Sequence, residues 1–153
     1  VVRNIGNFVP VYNSSTDFFS IAAAIEYAVN ILNVTNIIVC GHSNCGACES
    51  LYKEIPKENS NIIKWLEIAQ PIKDFTLKNK SLYKNKEELY RATEKQSLIC
   101  QLEHLKSYPI INEKMTSKEL NIYGWYYHLE DGSIEYYDET NKSFKDIVNY
   151  NFS

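Results

Sequence analysis

No stretch of the chain approaches the run of about 20 apolar residues that a membrane-crossing helix needs, so no membrane partner is expected. Basic residues are not in excess either. Sixteen Lys and Arg against nineteen Asp and Glu leave a formal net charge of −3, the wrong sign for the footprint of a nucleic-acid binder. Lys78, Lys80, Lys84 and Lys86 do cluster, but Glu87 and Glu88 follow at once, and the stretch reads as a solvated face. Internal repeats, low-complexity tracts and linkers are missing. So is a visible secretory leader, and so is an initiating methionine. Val1 opens inside an apolar, strand-like run. The expectation is therefore that an N-terminal piece has been lost, and the missing leader weighs little on location.

What is present is ordinary soluble composition, 44% hydrophobic and 23% charged over 153 residues. That suits one domain spanning residues 1–153 with a real core. Three of the four cysteines (Cys40, Cys45, Cys48 and Cys100) fall within nine residues. The chain is larger than the small secreted scaffolds that disulfides hold together. Clustered cysteines beside a histidine read better as metal or redox chemistry in a reducing compartment, which points to the cytoplasm.

Local patterns sketch the fold. Val1–Arg3 reads as the end of a strand, and Asn4–Asn7 as a turn able to take positive φ. Ser14, Ser15, Thr16 and Asp17 are candidate N-caps for a largely buried helix reaching about Leu32, its apolar residues spaced by three and four. Ile37–Cys40 is short, continuous and β-branched, as in a central parallel strand covered on both faces. Gly41–Gly46 is then a loop at its carboxyl end, where open α/β sheets bind ligands. Helices are predicted from about Ala47, from Asn61 to Ala69 with Pro71 as a stop, and from Glu87 to Tyr108, with Leu98, Leu102 and Leu105 on one stripe and Pro109 behind it. A strand over Ile122–Leu129 turns at Asp131-Gly132 into another at Ile134–Tyr137, and Phe144–Val148 closes the chain as a helix. The class is α/β: a central, mostly parallel sheet flanked by helices.

The chemistry concentrates in Gly41-His42-Ser43-Asn44-Cys45-Gly46-Ala47-Cys48. Zinc takes imidazole nitrogen and thiolate sulfur in tetrahedral geometry. A His and a Cys separated by two residues on a turn reach one ion, with Gly41 and Gly46 letting the backbone bend. Two ligands do not complete a site, and a buried loop with a satisfied histidine and inert thiols stays open as the alternative. Cys48 reads as a packed thiol at a helix start rather than a third ligand. Cys40 and Cys100 read as small core residues, and His104 and His128 as surface or core histidines. Asp17, Glu26 and Glu49 are candidates for capping or local pairing.

This motif resembles the second zinc motif of the β-class carbonic anhydrases. Val2-Arg3-Asn4-Ile5-Gly6-Asn7, Ile25-Glu26-Tyr27-Ala28-Val29, and Gly124-Trp125-Tyr126-Tyr127 followed by Asp131-Gly132 resemble other family segments, in the family's order. The resemblance implies reversible hydration of carbon dioxide to bicarbonate and a proton by zinc-bound hydroxide. It also implies Zn2+ held by two Cys and one His, with His42 and Cys45 as two of those ligands, and a homodimer or higher homo-oligomer. The family's first Cys ligand and its Asp–Arg catalytic pair precede the segment at Val1. No catalytic residue is thus assigned, and the chain as it stands is expected to bind zinc poorly and lack activity. Three rivals remain. One is a thiol–disulfide oxidoreductase using Cys45 and Cys48. The others are a relative acting on a small molecule such as carbon disulfide, and an inactive, metal-free relic of the fold.

Overall fold

The computed structural model describes residues 1–13 and 19–149. Four strands form one mixed sheet in the order β1 (Asn36–His42), β2 (Asn121–Tyr127), β3 (Ile134–Asp138) and β4 (Ser143–Asp146). The α/β class holds, but the sheet is mixed rather than mostly parallel: one of its three pairings, β1–β2, is parallel, running from Asn36↔Asn121 to His42↔Tyr127. β2–β3 and β3–β4 are antiparallel, because short turns join them and a parallel neighbour needs a long crossover. Asp131 makes the first turn, accepting from the Ser133 N–H and hydroxyl. Asp138 makes the second, accepting from the N–H groups of Thr140 and Asn141. That second turn corrects the expected closing helix over Phe144–Val148. Phe144 pairs with Tyr137 in register, and their rings pack 5.2 Å apart.

Three further expectations need correction. Val1–Arg3 belongs to no strand. Pro71 and Pro109 open helices instead of closing them, at α4 (Gln70–Lys78) and α6 (Pro109–Thr116), because proline's missing N–H costs nothing in a first turn. β1 is not covered on both faces. Among the described residues it is an edge strand with alternating burial, Val39 and Gly41 inward, Ile38, Cys40 and His42 exposed. Cys40 is therefore not a core residue, because successive strand side chains point to opposite faces.

The longest helix, α5 (Lys86–Lys106), lies on the inward face. Asn85 caps it by accepting the Glu88 N–H at 2.9 Å, with Glu87 and Glu88 in the first turn and Lys106 in the last, as the helix dipole favours. Leu98, Leu102 and Leu105 meet Val39, Tyr126 and Leu120 in one core. Gly124 makes that contact possible: a Cβ there would sit 2.2 Å from Leu98 Cδ2. A second core joins α2 (Gly46–Ser50), α3 (Ser60–Leu66) and α4 through Phe8, Cys48, Leu51, Leu66 and Ile72.

The early helix is the other departure. α1 (Phe19–Glu26) runs into a π-turn at Tyr27–Ile31, and its expected N-caps, Ser14 to Asp17, lie outside the described residues. Ile21 and Val29 are buried, but Phe19, Tyr27, Ile31 and Leu32 are more than half exposed. The apolar periodicity is real, but among the described residues its outer face is left uncovered.

Candidate metal centre

The loop between β1 and α2 is short and tightly held. The Ser43 N–H donates to the Tyr127 carbonyl at 2.9 Å, extending the parallel ladder one residue past His42. The chain then turns at Asn44, which takes φ 57°, and Cys45 (φ −76°, ψ 110°) is the N-cap residue of α2. Asn44, a residue that tolerates the left-handed region better than most, makes the bend that was assigned to Gly41 and Gly46, neither of which has positive φ.

At the end of β1, His42 lies on the exposed face. Its Nδ1 is 2.7 Å from the Ser43 carbonyl. A carbonyl only accepts, so Nδ1 carries a proton there; in the neutral ring Nε2 then keeps its lone pair, the tautomer a ligating histidine needs. Cys45 is buried. Its thiol is drawn down to about 6, first by a hydrogen bond from the Cys48 thiol and then by the N–H groups of Cys48 and Ala47, which outweigh burial. Cys48 moves the opposite way, pushed well above the usual thiol range by the same shared hydrogen bond and by its own burial. The shared hydrogen bond thus favours the thiolate at Cys45 over Cys48, whose side chain is packed in the core.

Polar side chains grip every residue of the loop. Ser43 Oγ donates to Glu130 Oε2 at 2.6 Å and accepts from the Leu129 N–H at 2.8 Å. Asn44 Nδ2 donates to Glu130 Oε1 at 2.8 Å. The Cys45 N–H donates to Glu94 Oε1 at 2.8 Å. Glu94, on α5 and only 3% exposed, also accepts from the Tyr126 hydroxyl at 2.6 Å. Arg91, one turn earlier, spans both carboxylates: Nη1 to Glu94 Oε2 at 3.1 Å, Nη2 to Glu130 Oε1 at 2.9 Å and to Asn44 Oδ1 at 2.6 Å.

Sequence reasoning missed Glu94, Arg91, Tyr126 and Glu130. Part of the signal was present: Glu94, Ser97 and Gln101 form a polar stripe at helical spacing beside the leucines of α5. The other candidates lie elsewhere. His104 holds the Val9 carbonyl through Nδ1, with the Cys100 thiol at its Nε2. His128 holds Glu135, and Glu49 pairs with Lys53.

The donors of this loop suit zinc in kind, an imidazole nitrogen and a thiolate, but they are two. Among the described residues no group of three or more His, Cys, Asp or Glu side chains is placed to hold a metal ion. A tetrahedral site built here needs donors beyond those residues.

The carbonic anhydrase family profile matches residues 1–134. The chain belongs to the β-carbonic anhydrase family. It is 36% identical over 152 residues to a carbonic anhydrase of Helicobacter pylori, covering 96% of this chain and 68% of that one. It is 34% identical over 136 residues to a carbonic anhydrase of Synechococcus elongatus, covering 88% of this chain and 49% of the relative. The chain therefore spans between about half and about two thirds of these relatives' lengths. Among solved structures, the β-carbonic anhydrase CcaA superposes with a TM-score of 0.85 at 32% identity, over 95% of this chain and 70% of that one. A tetrameric β-carbonic anhydrase of Sordaria macrospora superposes with a TM-score of 0.77 at 24% identity, over 89% and 66%.

Proposed function

We propose that this chain is part of a zinc lyase that reversibly hydrates carbon dioxide to bicarbonate and a proton. His42 and Cys45 are two of its metal ligands. The observation that supports this most directly is the loop itself: in a chain of this family, it offers an imidazole with Nε2 free and a thiolate with a lowered pKa. Zinc bound there supplies the Lewis acidity that brings the pKa of a bound water toward about 7. The chain's own residues prepare that site. The Ser43 carbonyl fixes the His42 ring, Cys48 holds its proton on sulfur and leaves Cys45 as the thiolate, and the exposed face of β1 leaves His42 open to solvent.

With two donors among the described residues, a polypeptide of these 153 residues alone is expected to hold zinc weakly and not to hydrate carbon dioxide. The natural gene product is expected to bind zinc and hydrate carbon dioxide, in a homo-oligomer. The uncovered apolar face of α1 and the π-turn supports assembly, as does the tetramer of the Sordaria relative. Four free cysteines suit a reducing compartment such as the cytoplasm.

One observation favours a second reading. A thiolate at Cys45 beside a protonated Cys48 is what a thiol–disulfide oxidoreductase needs. Against it, Cys48 is only 2% exposed, and disulfide chemistry gives His42 no role. The test measures zinc content and carbon dioxide hydration of the natural gene product. His42→Ala and Cys45→Ser are expected to abolish both, and Cys48→Ser to retain both. Full zinc loading and hydration in the Cys45→Ser protein would overturn the assignment. Reduction of a protein disulfide that depends on both cysteines would favour the rival.

A further inference from the structure

We propose that Glu94 is a positioning residue for the metal loop, acting with Arg91 and Glu130 as a clamp that fixes where Cys45 and His42 sit. This deepens the zinc assignment above and rests on it for its metal-dependent part.

The clamp spans 39 positions of sequence, from Arg91 to Glu130, and closes on three consecutive loop residues from two sides. On one side, α5 presents Glu94 to the Cys45 peptide. On the other, Glu130, just beyond β2, receives both the Ser43 hydroxyl and the Asn44 amide. Arg91 ties the two carboxylates together and reaches Asn44 as well. Glu94 itself is locked by the Tyr126 hydroxyl. Each carboxylate thus accepts from three groups, Glu94 in the buried interior and Glu130 at the half-exposed rim.

Three features argue that this arrangement serves the site. First, a buried carboxylate is costly unless fully paired, and an apolar residue would fill the same place on α5 more cheaply. Second, the N–H that Glu94 holds is that of a proposed ligand residue, at the point where the strand becomes a helix. Third, the side chain of Asn44, which makes the bend at positive φ, is itself held by both Glu130 and Arg91. Glu94 touches no reacting atom; its effect runs through the Cys45 peptide.

The experiment uses the natural gene product with Glu94→Ala, Glu94→Gln, and Glu103→Gln as a control on the same helix. Gln keeps a carbonyl oxygen for the Cys45 N–H. Zinc affinity is measured by competition with a chelator. Geometry is read from the thiolate-to-cobalt absorption band of the Co2+-substituted protein. The Cys45 amide is followed by NMR in the metal-free protein. Removing an outer-shell partner typically lowers metal affinity about 10–100-fold; Glu94→Ala is expected to fall in that range and to shift the cobalt band. It is also expected to displace the Cys45 amide resonance and its exchange protection while distant amides stay put. Glu94→Gln should recover much of each effect, and Glu103→Gln should change none. A Glu94→Ala protein with wild-type affinity, cobalt band and Cys45 amide would overturn the proposal. If Glu94→Ala does not fold, Glu94→Gln decides it: metal affinity as low as that of Cys45→Ser, despite the retained acceptor, refutes positioning through this hydrogen bond. If the wild-type protein binds no metal, the zinc assignment fails by itself. The Cys45 amide then decides the clamp: a selective loss in Glu94→Ala upholds it, and an unchanged resonance refutes it.

Discussion

Replacing Gly124 by alanine tests the contact that carries α5 to the loop of His42 and Cys45. The added Cβ would lie 2.2 Å from Leu98 Cδ2, 3.0 Å from Leu102 Cδ1 and 3.4 Å from Leu98 Cγ. Leu98 is fully buried and Leu102 nearly so, so neither side chain has free space to swing into. Forcing an extra carbon into a packed core costs about 1–3 kcal/mol. The stiffer unfolded chain returns about 0.4–1 kcal/mol of that. With no room to relax, the upper half of the packing cost applies, about 2–3 kcal/mol, and the expected net loss is about 1–2.6 kcal/mol, or a melting temperature lower by about 2–10 °C for a chain of this size. Denaturant unfolding at equilibrium checks it, with the m-value unchanged because the same surface is exposed. Leu98→Ala alone should cost about 2–5 kcal/mol. In that background Gly124→Ala should cost little, giving a coupling of about 0.5 kcal/mol or more. An alanine variant as stable as the parent, or strictly additive costs in the double variant, would refute the argument that Gly124 sets the helix–sheet distance.

Other outcomes follow from the same structure. Burial would raise the Glu135 pKa, but hydrogen bonds from Lys95 and His128 bring it below the ordinary carboxylate value. A lowered carboxyl group stabilises the fold fully above the unfolded pKa of about 4.3 and loses that contribution as pH falls through the folded value. Glu135→Gln should therefore be less stable than wild type near neutrality and lose less on acidification, so that urea midpoints of the two converge toward acid pH; a gap that widens instead would refute the assignment. Ile31→Asp places a charge in the uncovered apolar face beside Tyr27 and Leu32. Light scattering should then report a smaller assembly than wild type with monomer stability little changed, and an unaltered mass would show that this face is not the contact.

Local grammar made much of the architecture legible. Asp131-Gly132 announced the β2–β3 turn, the β-branched run at Ile37–Cys40 announced β1, and the leucine spacing announced α5. The errors came where one local signal admits two outcomes. Proline ends a helix or begins one, and at Pro71 and Pro109 it begins one. Phe144 to Val148 is short enough to suit either period, and the Asp138 turn with its cross-strand ring contact decided for a strand. Burial of the α1 region could not be judged from its pattern, because apolar spacing does not say which partner covers it. At the candidate metal centre, His42 and Cys45 were readable as candidates because an imidazole and two thiols fall within seven residues. The residues that hold them were not. Glu94 is 49 positions from Cys45 and Glu130 is 87 from Ser43, and only the packing of α5 and β2 against β1 brings them together.

The alternation along β1 makes the histidine a matter of parity. His42 faces outward because Val39 and Gly41 face inward, and Val39 faces Gly124 in the parallel register. Inserting or deleting one residue between Ile37 and Gly41 would exchange the two faces. The imidazole would then turn toward Leu98 and a bulky aliphatic side chain toward the open side, with every residue of the motif still spelled correctly. A change of two residues preserves the facing and moves the loop along the sheet instead. Lineages of this strand can therefore drift in the identity of its residues far more freely than in their number.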